Sequence, residues 1–233
     1  MAFNVATRSS RTSGARTVGA LRCFQLAALG LVLGCSGADP GQPGRQDCDA
    51  TDPGTCLALA RDLAASGEEE RATRLLSDAC QRFHAPACRQ LGRWTRDGSH
   101  GITQDLEEGF ALLQRAEVYG DIDAAYDVGV AYRDGVGVAA NVDIAQRQFE
   151  AGCAVEHVPS CFDLGMLLSQ GQVPVEGAKA TAAFLVACNL GEGVSCWNAS
   201  ALIEQGAYNP PDGVSAADLK ARACALGAEG ACE

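Results

Sequence analysis

Small and large apolar residues recur along this chain with a period close to 36 residues. One row is small throughout: Ala60, Gly92, Gly129, Gly165 and Ser200. A second small row is Ala72, Gly109, Ala145, Ala180 and Ala216. Four residues beyond the members of that row stand Leu76, Leu113, Phe149 and Phe184. The last unit has Lys220 there, and the adjacent Leu219 is expected to fill the core instead. Residues four apart share one face of a helix. Glycine inside a helix costs up to about 1 kcal/mol against alanine, so its recurrence marks close backbone approach. The pattern predicts repeated hairpins of two antiparallel amphipathic helices. Helix A carries the first small row, and helix B carries the second with the large residues. Asp97-Gly98 and Asp134-Gly135-Val136-Gly137 read as the turns between them. Glu68-Glu69-Glu70 and Glu107-Glu108 open B helices, where acidic residues suit the helix dipole.

Ten of the twelve cysteines follow the same rhythm. They form the pairs Cys48/Cys56, Cys80/Cys88, Cys153/Cys161, Cys188/Cys196 and Cys224/Cys232, each separated by eight positions. First cysteines recur after 35 residues (Cys153 to Cys188), 36 (Cys188 to Cys224) and 73 (Cys80 to Cys153). Midway through the long interval, Glu117 and Ala125 hold the two positions, so the phase continues without a pair. Such a period signals a stacked repeat array, in which each unit contacts only its neighbours.

The run from Ala125 to Val138, Ala-Tyr-Asp-Val-Gly-Val-Ala-Tyr-Arg-Asp-Gly-Val-Gly-Val, resembles the signature of Sel-one-like repeats, relatives of the tetratricopeptide repeat. The Cys-x7-Cys pairs resemble the cysteine-rich, disulfide-bridged branch of that family, which is often labelled beta-lactamase. The resemblance covers residues 48–232. It implies an all-α fold, a right-handed α/α solenoid of about five helical hairpins, with the A helices lining a concave face. It also implies that each eight-residue pair is a disulfide. The first cysteine then ends a helix B and the second opens the next helix A, and the turn between them brings the two within bridging range. A ring this short stabilises by about 2.5 kcal/mol at most in the chain-entropy model.

The first 34 residues carry four arginines (Arg8, Arg11, Arg16, Arg22) and no acidic residue. An apolar run from Cys23 to Leu33 follows, too short to span a bilayer. Residues 1–34 read as a lipoprotein signal peptide. Val32-Leu33-Gly34-Cys35 resembles the bacterial lipobox, so Cys35 is the expected acylation site and the membrane anchor. Parity agrees, since Cys35 is the cysteine left without a partner. Residues 35–47 form a flexible tether, and 48–233 form the solenoid. The expected location is the periplasm or the cell surface, an oxidising setting that suits disulfides. Without the leader, 14 basic side chains face 29 acidic ones, a net charge of −15. That charge excludes nucleic acid as a partner. A monomer is expected.

Candidate chemistry is sparse. Zinc sites favour cysteines two to four apart, which this chain lacks, and His84, His100 and His157 are scattered. No metal and no cofactor are expected. A serine beta-lactamase needs Ser-x-x-Lys, yet Glu176 and Ala217 stand three residues before Lys179 and Lys220. No Gly-x-Ser-x-Gly elbow occurs. The Gly135/Gly137 turn lacks the Lys-Ser/Thr of a phosphate loop. No catalytic residue is therefore assigned. Asn198-Ala199-Ser200 matches a glycosylation sequon, but it falls inside a predicted helix.

By the family resemblance, three positions of each A helix face the concave surface. They hold Arg89, Tyr126, Phe162 and Trp197; Arg93, Val130, Met166 and Ala201; and Arg96, Arg133, Ser169 and Glu204. One reading makes Arg89, Arg93, Arg96, Tyr126, Arg133, Phe162 and Trp197 a groove for an extended peptide. Arginine would bind carboxylates and the aromatics would hold apolar anchors. The other reading pairs these arginines with local acids and packs the aromatics between helices. The chain is expected to be an exported, lipid-anchored scaffold for an unknown protein or peptide partner. The alternative is a beta-lactam-binding or weakly hydrolysing protein, which turnover of a chromogenic beta-lactam would reveal.

Overall fold

The computed structural model describes residues 53–170, 175–207, 214–228, 230 and 232. The expected signal peptide, Cys35, the expected tether and Cys48 lie outside the described residues. Among the described residues ten α-helices follow one another, and no strand occurs. The A helices are α1 (Pro53–Ala65), α3 (Ala85–Asp97), α5 (Ile122–Asp134), α7 (Val158–Ser169) and α9 (Gly193–Glu204). The B helices are α2 (Glu69–Gln81), α4 (Leu106–Val118), α6 (Val142–Ala154), α8 (Val175–Asn189) and α10 (Ala216–Ala225). Each helix packs chiefly on its neighbours in the chain. The core accordingly runs as overlapping apolar clusters along the stack.

The small and large rows meet as their spacing predicts. Gly129 of α5 lies against the Phe149 ring of α6, and a Cβ on it would come within 2.7 Å of that ring. Gly165 and Phe184 repeat the contact one hairpin later, at 2.6 Å. A Cβ on Gly92 would come within 3.0 Å of the Gly109 carbonyl and 3.1 Å of the Leu113 side chain. Leu76, Leu113, Phe149 and Phe184 are fully buried. Leu219 is buried in the last hairpin, in place of Lys220. Ala216 departs from its row and is only half-buried, because it is the first residue of α10, whereas Ala72, Gly109 and Ala145 are the fourth residues of their helices.

Local chemistry sets the helix ends. Asp105, Asn141 and Ser215 accept hydrogen bonds from the backbone amides of Glu108, Ile144 and Asp218, capping α4, α6 and α10. Gly98 and Gly135 end α3 and α5 in the left-handed conformation. Gly137 also has positive φ, and it passes so close to the Leu106 carbonyl that no side chain fits.

Disulfides join Cys80–Cys88, Cys153–Cys161, Cys188–Cys196 and Cys224–Cys232, with Cα atoms 4.6, 4.6, 4.7 and 4.9 Å apart. Cys56 is disulfide-bonded as well. Each bridge links the end of a B helix to the residues that open the next A helix or, for Cys232, to the segment beyond α10. The α4–α5 junction, with Glu117 and Ala125, is held by polar contacts instead.

Candidate functional site

The arginines expected on the concave face all lie on α3 and α5, and each is bound to acid. Arg89 donates from Nε to Asp121 Oδ2 at 3.0 Å and approaches Asp123 Oδ2 with Nη2 at 2.9 Å. Arg93 grips Asp127 with two parallel bonds of 2.7 and 2.9 Å. Arg96 turns onto its neighbour Asp97 at 2.8 Å. Arg133 holds Asp134 at 2.8 Å and reaches Asp163 of α7 at 2.9 Å. The Tyr126 hydroxyl donates to the same Asp163 oxygen at 2.9 Å. Successive A helices are thus cross-linked through arginine, tyrosine and aspartate.

The signal for these pairs is in the chain. The acid stands roughly one repeat after its partner: Asp121 after Arg89, Asp127 after Arg93, and Asp163 after Tyr126 and Arg133. Reading the arginines down one column, without the acids in the next, hides it.

Charge and burial tune the groups. The bond to Asp127 raises the Arg93 pKa, and burial partly opposes it. The Arg133 guanidinium is raised chiefly by its bond to Asp134, whose carboxyl is held below its usual range in return. Burial, then Asp163, pushes the Tyr126 phenol up to about 12. Arg93, Arg133 and Asp134 are therefore charged and Tyr126 is neutral at neutral pH.

The aromatics are half-buried and pack between helices. Tyr126 contacts the rings of Phe149 and His157 at 5.8 and 5.6 Å. Phe162 meets Phe184 edge-on at 6.0 Å. Trp197 packs into the last apolar cluster, with the Lys220 ammonium 5.4 Å from its ring. Lys220 also pairs with Glu204 of α9 at 2.6 Å. Arg89, Tyr126 and Arg133 are linked through Asp123, His157 and Asp163, Arg93 forms a separate pair with Asp127, and Phe162 and Trp197 belong to later hairpins.

A Ser-His-Asp arrangement also appears, which the sequence reading missed. His157 hydrogen-bonds with the Ser160 hydroxyl through Nδ1 at 2.8 Å and with Asp123 through Nε2 at 3.1 Å. Ser160 is completely buried and pressed against Gly152. A nucleophile sealed there cannot meet a substrate, so the trio serves as a lock between α5 and α7. Among the described residues no group of three histidine, cysteine, aspartate or glutamate side chains is placed to hold a metal ion.

The family model described as Sel1 repeat matches residues 85–117, 122–147 and 158–191. The chain carries Sel1 repeats at these three stretches. A Sel1 repeat protein from Oxalobacter formigenes has the same fold, with a TM-score of 0.63 and 18% identity over 76% of this chain and 72% of that one. A protective antigen of uropathogenic Escherichia coli with an SLR fold gives 0.61, at 18% identity, over 76% of this chain and 39% of that one. At this identity the two share the fold alone. Among sequences, cytochrome c oxidase assembly factor 7 of Danio rerio is 30% identical over 127 residues, 52% of this chain and 56% of that protein. The Mus musculus protein of the same name is 33% identical over 124 residues, 49% and 54%. The chain spans just over half the length of these relatives. Sel1 repeat proteins mediate protein–protein interactions.

Proposed function

We propose that this Sel1 repeat protein is an exported, lipid-anchored scaffold of a bacterial cell envelope, holding an extended segment of a partner protein along its A helices. The single observation that carries the reading is the row of cross-linked arginines and aspartates on α3, α5 and α7. Each guanidinium is already matched by a carboxylate, so the face does not call for an acidic guest. It offers fixed donors and acceptors in alternation, which suits the N–H and C=O groups of an extended backbone. Half-exposed Asp97, Asp123 and Asp134 can accept from backbone amides, while Arg96 and Arg133 can donate to carbonyls. Because the charges are held in place beforehand, little ordering is lost on binding.

The basic and apolar leader, the Cys35 lipobox and the cystines support the exported, anchored part of the reading. The relatives named as assembly factors support the scaffold part, since assembling a complex requires holding a protein client.

Arg93 is a poor probe, because replacing it strands the buried Asp127. A photo-crosslinking side chain at Arg96, on the A face, is compared with one at the exposed Arg74 on α2. Adducts at Arg96 and not at Arg74 are expected in the native cell, and equal yields would remove the A face as the site. Separately, Cys35→Ser should release the protein from the membrane fraction, and retention would remove the anchor.

A further inference from the structure

The turns joining each B helix to the next A helix form one edge of the array, and that edge is apolar. Phe83, Val118, Val155, Leu190 and Leu226 stand there, exposed at 72, 80, 64, 43 and 43%. Each lies within three residues of a first-cysteine position (Cys80, Glu117, Cys153, Cys188, Cys224), so the repeat itself sets their spacing. The Phe83 ring meets Tyr119 of the next corner edge-on at 5.2 Å, merging two corners into one patch.

Phe83 takes this position with φ of 65° and Glu156 takes it with φ of 61°, where the corresponding residues of the other three corners are Gly120, Gly191 and Gly227. An exposed phenylalanine in left-handed backbone costs stability, and strain of this kind collects at functional positions. The opposite edge has Ser66, Glu68, Asp97, Asp105, Asp134 and Asn141 at its turns and helix ends, with two exposed large apolar residues, Leu106 and Val142, among them. Glutamates outnumber cations beside these side chains: Glu117, which accepts from Gln148, adjoins Val118, Glu156 adjoins Val155, and Glu192, which caps α9, lies two residues from Leu190, while Arg82 adjoins Phe83. A chain of net charge −15 without its leader surrounds it.

We propose that this edge is a second docking surface and that it takes a basic amphipathic helix of a partner protein. Its apolar face covers the corner side chains, and its lysines or arginines lie over the glutamates. A peptide segment can follow corners that turn with the stack, whereas a flat bilayer cannot. The acidic flanks also repel anionic lipid. The surface is separate from the A face and stands whether or not that face binds peptide.

The test is fluorescence anisotropy on the full exported chain with a synthetic helical leucine/lysine peptide at about 0.15 M salt. A peptide with serine for leucine and one with glutamate for lysine are the controls. The leucine/lysine peptide should bind at least about tenfold tighter than either. Val118→Ser/Val155→Ser/Leu190→Ser should lose about tenfold or more. These side chains are exposed, and an unchanged circular dichroism spectrum verifies the fold. A single Glu156→Lys variant should weaken binding on its own. Equal binding of the serine/lysine peptide, or full affinity in the triple variant, overturns the proposal. So does finding that the triple change abolishes vesicle flotation or self-association while peptide binding is absent from the outset, which would reassign the edge to lipid or to a second copy.

Discussion

At the α6–α7 corner the Cys153–Cys161 bridge joins the two helices, with Ser160 and Cys161 fully buried beside it. At the α4–α5 corner, Glu117 and Ala125 occupy the same two positions, and polar groups replace the sulfur. Gln148 of α6 donates to Glu117 Oε1 at 2.8 Å. Asp121 caps α5 through the Ala124 amide at 3.0 Å and also receives Arg89 from α3. The helices stack in the same phase at both corners. The repeat geometry therefore comes from the small and large rows, and the cystine is one of two ways to secure a corner. The two ways differ in range. A cystine ties only its own corner, whereas the Arg89–Asp121 contact joins α3 to α5 and the Gln148–Glu117 contact joins α6 to α4, coupling neighbouring hairpins.

The largest expected effect breaks the covalent side. Cys153→Ser/Cys161→Ser should cost about 2.5 kcal/mol in urea unfolding, the loop-entropy value for so short a ring. Hydrogen exchange should quicken at α6–α7 and stay unchanged at α4–α5; quickening across the whole array would mean the corners are not independent. The reverse change sharpens the contrast. Glu117→Cys/Ala125→Cys should form a further bridge, seen as a loss of two hydrogens by mass, and raise stability by up to about 2 kcal/mol. If it oxidises but lowers the urea midpoint, the polar corner was the stronger of the two.

Arg89→Ala should cost about 2 kcal/mol, because it leaves the buried Asp121 without its charge partner; Asp123, half exposed, limits the loss. Asp121→Ala removes both the cap and the ion pair and should cost at least about 1 kcal/mol by the same measurement. The smallest effect is one of pH. Burial raises the Glu117 pKa, while the Gln148 bond works against it. A carboxyl with a raised folded pKa stabilises most below its unfolded value, and that contribution is lost as pH rises through the folded pKa. Glu117→Gln should therefore gain a few tenths of a kcal/mol at neutral pH relative to the parent, and no advantage should remain near pH 4. An equal offset at both pH values would show that charge at this corner is irrelevant.

Much of this was legible beforehand. Gly129 under Phe149 and Gly165 under Phe184 follow from rows of residues four apart, because helical periodicity is a local property. The fates of Arg89, Arg93 and Arg133 were not, since their partners lie 30 to 34 positions on and only stacking brings them together. Two readings of those arginines stood open, and the paired geometry changes what the A face can bind. The apolar edge escaped notice for the same reason: Phe83, Val155 and Leu190 look like core residues until the corner places them outside.

The amino-acid sequence by itself determined the hairpin unit, its length, its helix pairing and the positions of its bridges. These depend on spacing within one period, where chain connectivity limits the choices. Only the tertiary structure decided which charges are neutralised and which apolar side chains face water. Those outcomes depend on contacts between units, where burial and charge pairing are settled by neighbours a full repeat away.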